Sequence, residues 1–97
     1  MRKSPAIDIL FPAVRQEVLA ATLMRPERWW YLSDLAAHLG RSASSLQREV
    51  AQLATAGVLE TRREANRTYY RPNPDCPLLP ELTGLVAKTV GVADVVR

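Results

Sequence analysis

Apolar residues recur at helical spacing in four stretches of the chain. Val14, Val18, Ala21 and Thr22 form one stripe, widened by Leu19 and Leu23, which predicts a helix over residues 6–23. Pro12 is tolerated in a first turn, so the main body of that helix is expected to start near Phe11, with Arg15, Gln16 and Glu17 facing outward. Met24, Arg25, Pro26 and Glu27 break it. Residues 29–32 are bulky and apolar and read as a brief strand. Ser33 is then placed to cap a helix over 34–39, with Asp34 at its positive end and Leu35, Ala36 and Leu39 turned inward. Gly40 supplies the positive φ of a tight turn. Ser42 caps the next helix, predicted over 43–56. Leu46, Val50 and Leu53 form its buried row, continued by Ala54 and Gly57, where it ends.

Beyond Gly57 the period changes. Residues 58–63 and 68–71 have strand character around Glu64, Ala65, Asn66 and Arg67. Asn66 is the expected positive-φ residue of this hairpin. The proline-punctuated stretch 72–77 is expected to be irregular. A last helix is predicted over about 80–96, with Leu82, Leu85, Val86, Thr89 and Val90 as its apolar face and Gly91 as an interruption. The expectation is a mainly α chain with a small β-hairpin (α+β), a three-helical core plus a C-terminal helix.

Size and charge sharpen this picture. A chain of 97 residues, 47% hydrophobic and 24% charged, fits one domain spanning 1–97. It buries only about two-thirds of its unfolded surface, so self-association is a natural source of stability. One Cys and one His exclude a disulfide framework and leave no Cys/His cluster for zinc. No apolar run is long enough for a membrane span, and no signal-peptide pattern follows the basic start, so a cytoplasmic protein with no membrane partner is expected. The net charge is +3. Between residues 41 and 71 six arginines face three glutamates, while the remainder of the chain is neutral. All the basic residues in that third are Arg, whose planar fork suits phosphates and guanine edges. A solvated surface is the plain alternative.

The segment Leu32, Ser33, Asp34, Leu35, Ala36, Ala37, His38, Leu39, Gly40, Arg41 and Ser42, followed by 43–58, is a helix-turn-helix pattern. Small Ala36 and Ala37 let one helix cross another, a glycine turns the chain, and the second helix fits a major groove. With the leucine row, the Ala56, Gly57, Val58, Leu59, Glu60 run and the Asn66, Arg67, Thr68, Tyr69, Tyr70, Arg71 hairpin end, the chain resembles winged helix-turn-helix regulators of the ArsR type over roughly residues 11–71. The runs Leu10-Phe11-Pro12, Arg25-Pro26, Leu46-Gln47-Arg48-Glu49 and Asn73-Pro74-Asp75 resemble a subgroup often joined to a nucleotidyltransferase domain. In that subgroup residues 85–89 lead into the second domain. Here the chain stops at Arg97, as a free-standing member or a fragment would.

The resemblance implies a helix-turn-helix over 33–56, a wing over 58–71 and sequence-specific binding of double-stranded DNA by a transcriptional regulator. The residues themselves offer no phosphate-binding glycine loop, no paired carboxylates at suggestive spacing and, with one His, no Ser/His/Asp set, so no enzymatic activity and no cofactor are expected. Metal sensing in that family uses Cys and His clusters, which this chain lacks. Candidate DNA-binding residues are Arg41, Ser42, Ser44, Ser45, Gln47, Arg48, Arg63, Asn66 and Arg67. Arg48 can fork onto guanine and Gln47 onto adenine. Ser44 and Ser45 can bond bases or phosphates. Ser42 caps first, and its neighbouring N–H groups suit a phosphate. Glu49 can pair with Arg48 or accept from cytosine. Because strand residues alternate, Arg62 and Arg63 cannot both face DNA, and Arg63 with Arg67 is the favoured set. The alternative for each is a solvated polar face. Tyr70, Trp29 and Trp30 are expected to pack, Tyr69 to flank a phosphate, His38 to lie at the surface and Cys76 to be incidental. A homodimer through the first and last helices would read half-sites about 34 Å apart. The alternative from another class is a protein-interaction module regulating a nucleotidyltransferase-type partner.

Overall fold

The computed structural model describes residues 5–88. Five helices and three strands follow one another as α1 (Pro5–Leu10), α2 (Ala13–Leu23), β1 (Trp30–Tyr31), α3 (Leu32–Leu39), α4 (Ala43–Thr55), β2 (Leu59–Glu64), β3 (Arg67–Pro72) and α5 (Leu79–Val86). The predicted first helix is two helices. Pro12 sits at φ −58° and ψ 151° as the N-cap of α2, an extended conformation that a continuous helix cannot contain. Gln16, expected outward, is buried. Its Nε2 donates to the Phe11 carbonyl at 2.9 Å and to Asp8 at 3.2 Å, so the amide ties the end of α1 to the start of α2.

Two glycines set the helix ends that matter most. Gly40 has φ +68° and Gly57 φ +84°. At the first, the Arg41 N–H reaches Ala36 O at 3.0 Å and the Gly40 N–H reaches Ala37 O at 3.3 Å. At the second, Val58 N–H reaches Leu53 O at 2.9 Å and Gly57 N–H reaches Ala54 O at 3.1 Å. Both are the paired 6→1 and 5→2 bonds of a Schellman motif, which satisfy the last carbonyls of α3 and α4. The start of α3 departs from expectation. Tyr31 is the N-cap and Ser33 lies inside the helix without a capping bond, because β1 passes directly into α3 and starts it before Ser33. Ser42 caps α4 as expected, its hydroxyl accepting from the Ser45 N–H at 3.3 Å.

The sheet is antiparallel in the order β1-β3-β2. β1 pairs through Trp30 with Tyr70 and Tyr31 with Tyr69. The long ladder runs from Leu59 opposite Pro72 to Glu64 opposite Arg67. Pro72, expected in the irregular stretch, is therefore the last residue of β3, and it is buried. The positive-φ residue in the turn is Ala65, at φ +55°, and not Asn66. The two-residue turn needs the left-handed conformation at its first position, and Asn66 stands at its second.

The core gathers Val18, Leu19, Ala21 and Leu23 of α2, Leu35 and Ala36 of α3, and Leu46, Val50 and Leu53 of α4. Trp30, Leu59 and Tyr70 of the sheet and Val86 of α5 complete it. α5 packs on α2, with Leu82 half-buried and Leu85 exposed. The predicted Thr89 and Val90 face and the continuation to 96 lie outside the described residues.

Candidate nucleic-acid interface

The inner face of α4 is taken by Leu46, Val50 and Leu53. Its outer face presents Ser44, Ser45, Gln47, Arg48, Ala51, Gln52 and Thr55, all exposed. The three serines are knitted together at the N-terminus. Ser42 Oγ lies 3.3 Å from Ser44 Oγ, and Ser45 Oγ donates to the Ser42 carbonyl at 3.0 Å. Gln47 and Arg48 make no side-chain bond among the described residues and stand ready for an outside partner.

Glu49 is turned the other way. It is buried and accepts from Arg15 Nε of α2. Neither reading offered for Glu49, a pair with Arg48 or a cytosine contact, matches this placement. Arg41 also looks back to α2. Its Nε donates to Glu17 Oε1 at 2.6 Å and its Nη2 to Glu17 Oε2 at 2.9 Å, and this bond raises the Arg41 pKa above its ordinary value. Arg15 and Glu17, expected to face solvent, thus tie the middle of α4 and Arg41, two residues before it, to α2. Partly exposed pairs of this kind contribute little stability. Their effect is geometric, since they set how α4 sits on the body.

Strand register sorts the wing arginines. Arg63 stands opposite Thr68, on the face that nearer the body carries Leu59, Tyr70 and Trp30. Arg67 stands opposite Glu64 and Arg62 opposite Tyr69, so both belong to the other face. Arg63 and Arg67, taken together as the DNA-facing pair, are on opposite sides by the same alternation that separates Arg62 from Arg63. Arg63 is exposed and unpaired among the described residues. Asn66 is exposed in the turn.

On the outer face every arginine is stacked. The Arg62 guanidinium lies 4.6 Å from the Trp29 ring centroid and Arg71 lies 4.4 Å from the same ring. Arg67 lies 4.6 Å from Tyr31, and its pKa is raised by its bond with Tyr69. Tyr31 and Tyr69 meet at 5.8 Å, and Arg71 donates to Glu60 at 2.7 Å. This array was not anticipated from the sequence. Arg67, Tyr69 and Arg71 at spacing two are the signal that could have found it.

The inner face of the wing meets α4 across a groove of about 280 Å³ lined by Tyr31, Leu32, Ser33, Ala43, Gln47, Thr68 and Tyr70. It joins the Gln47 side of α4 to the Thr68 and Arg63 face of the wing. Tyr70 and Trp30 are buried, His38 is exposed with its ring 5.2 Å from that of Trp30, and Cys76 is a buried free thiol. Among the described residues no cluster of His, Cys, Asp or Glu could hold a metal ion, and no helix is long and apolar enough to cross a membrane.

In sequence the chain matches no family model and no curated protein. In structure it is similar to the AntR antimony-specific transcriptional repressor (21% identity, TM-score 0.69), over 92% of this chain and 77% of that one. Reduced HlyU from Vibrio cholerae N16961 gives 20% identity and a TM-score of 0.66 over 86% and 82%. AF1382 from Archaeoglobus fulgidus gives 14% and 0.65 over 95% and 97%. The fold is a winged helix-turn-helix, shared with these structures. α3 and α4 are its helix-turn-helix and β2–β3 its wing.

Proposed function

We propose that this protein is a transcriptional regulator that binds double-stranded DNA sequence-specifically, with α4 in the major groove and the wing on the adjacent backbone. One observation carries the reading: α4 offers Gln47 and Arg48, exposed and without a side-chain bond among the described residues, and Gln47 lines the groove that the wing borders with Thr68, the residue opposite the open Arg63. Arg15 and Arg41 are instead committed to Glu49 and Glu17. Arg48 and Gln47 read base edges. Ser42, Ser44 and Ser45 bring their hydroxyls and the first amides of α4 to a phosphate. Arg63 and Asn66 touch the backbone, and Arg67, stacked on Tyr31, contributes only from the wing tip. The role of AntR as a transcriptional repressor agrees with this reading. Its antimony specificity is not carried over, because no suitable cluster is present among the described residues.

The regulator acts as a homodimer through its first and last helices, in the cytoplasm. Ile9 and Leu10 of α1 are 85% and 64% exposed, and Leu85 of α5 is 39% exposed. Apolar side chains left in water at these positions favour a second copy. Sedimentation at high concentration is expected to give a dimer, and a monomer there would refute this part.

Duplex binding tests the whole. Affinity should fall steeply with salt, and Arg48→Ala should weaken binding to a selected site by roughly tenfold or more while relaxing base preference. Unchanged affinity in both Arg48→Ala and Arg63→Ala would instead favour a protein-interaction module.

A further inference from the structure

The ring of Tyr70 is packed away, with the residue only 7% exposed, while its hydroxyl has no protein partner among the described residues and is not closed off from solvent. Such a phenol can serve an outside ligand. This one lines the groove beside the start of α3 (Leu32, Ser33), the start of α4 (Ala43) and the Thr68 hydroxyl. The eight-residue helix α3 has no side-chain cap at its N-terminus, so its first-turn amides lack a side-chain acceptor there. Ser33 lies in that turn and is exposed.

We infer that this groove is a seat for one phosphate of the DNA backbone, received by the hydroxyls of Tyr70, Thr68 and Ser33 and the first-turn amides of α3. Every group named is a neutral donor, and helix N-termini favour anions. Asp34, the acid of that turn, does not line the groove, and it interacts electrostatically with Arg67. The site lies between the elements assigned to base reading and backbone contact. A phosphate held there fixes the register of α4 along the groove, as contacts to the backbone do. The inference rests on the duplex-binding reading above and adds to it a site built without a single cation.

The test uses the full chain and a duplex selected by it from a random pool. Tyr70→Phe removes only the hydroxyl and breaks no internal bond, so its melting temperature should match the parent. Its affinity should fall roughly tenfold, the size expected for a lost bond to a charged group. The slope of affinity against salt should stay unchanged, because a neutral donor displaces no counterion. Replacing the duplex phosphates one at a time by methylphosphonate should reveal one position where the parent loses affinity and Tyr70→Phe loses nothing further. Ser33→Ala provides a second variant, since Ser33 makes no capping bond. If the parent binds no duplex, the functional reading fails. If the parent binds and Arg48→Ala weakens it while Tyr70→Phe and Ser33→Ala do not, the phosphate seat alone is overturned.

Discussion

The two faces of the hairpin both carry arginine and tyrosine, and their arginines end in different states. On the inner face Leu59, Tyr70 and Pro72 are buried near the body, and Thr68 and Arg63 continue the row with no side-chain partner among the described residues. On the outer face Arg62, Arg67 and Arg71 all lie over aromatic rings, and Glu60 and Glu64 sit among them. One face leaves its arginine open to a visitor. The other has already supplied each guanidinium with a π surface, and two of them with a carboxylate. Counting charges along the chain treats all these arginines as equal. What separates them is which side of a pleated strand they occupy, and whether Trp29 or Tyr31 lies against that side.

The comparison predicts unequal costs. Trp30 anchors the inner face and is 1% exposed; Trp29 belongs to the outer face and is half-buried. Trp30→Ala should lower unfolding stability by about 3–5 kcal/mol, whereas Trp29→Ala, which loses cation–π contacts and some packing, should lose about 1–2 kcal/mol. Urea unfolding of the two variants gives the ranking, and equal losses would erase the distinction between anchored and stacked faces. In duplex binding, Arg63→Ala should weaken affinity by roughly tenfold and flatten the log–log salt slope by about 0.9. Arg62→Ala should change neither by more than about twofold. A reversed order in salt titrations would mean that the outer face meets the duplex. The smallest effect belongs to the turn that joins the faces. Ala65 holds φ +55°, a conformation that a Cβ opposes, so Ala65→Gly should raise stability by a few tenths to about 1 kcal/mol. A fall in melting temperature on that change would contradict the strain.

The helix-turn-helix was readable because its signals are local. A glycine at each helix end, a Ser cap and a leucine row at helical spacing are all set within a few residues. The hairpin was readable from the change of period. What escaped depends on partners far along the chain. Glu49 meets Arg15 and Arg41 meets Glu17 across 34 and 24 residues, and no local pattern distinguishes an outward Arg41 from one folded back on α2. Ser33 has the composition of a cap, but the strand pairing of Tyr31 with Tyr69 starts the helix before it. Asn66 suits a left-handed turn, yet the ladder from Leu59 opposite Pro72 to Glu64 opposite Arg67 assigns that conformation to Ala65. Among the candidate contacts, Gln47, Arg48 and Arg63 stand in the open, whereas Arg41 and Arg67 have neighbours that only tertiary structure supplies.

The contact of Trp29 with two guanidiniums also makes the wing an optical gauge. The chain has two tryptophans, and the Trp30 indole N–H has no hydrogen-bond partner among the described residues, so Phe can replace Trp30 without breaking such a bond. The remaining indole then emits from the base of the wing alone, and any ligand that draws Arg62 or Arg71 off its ring will register as a change of colour or brightness.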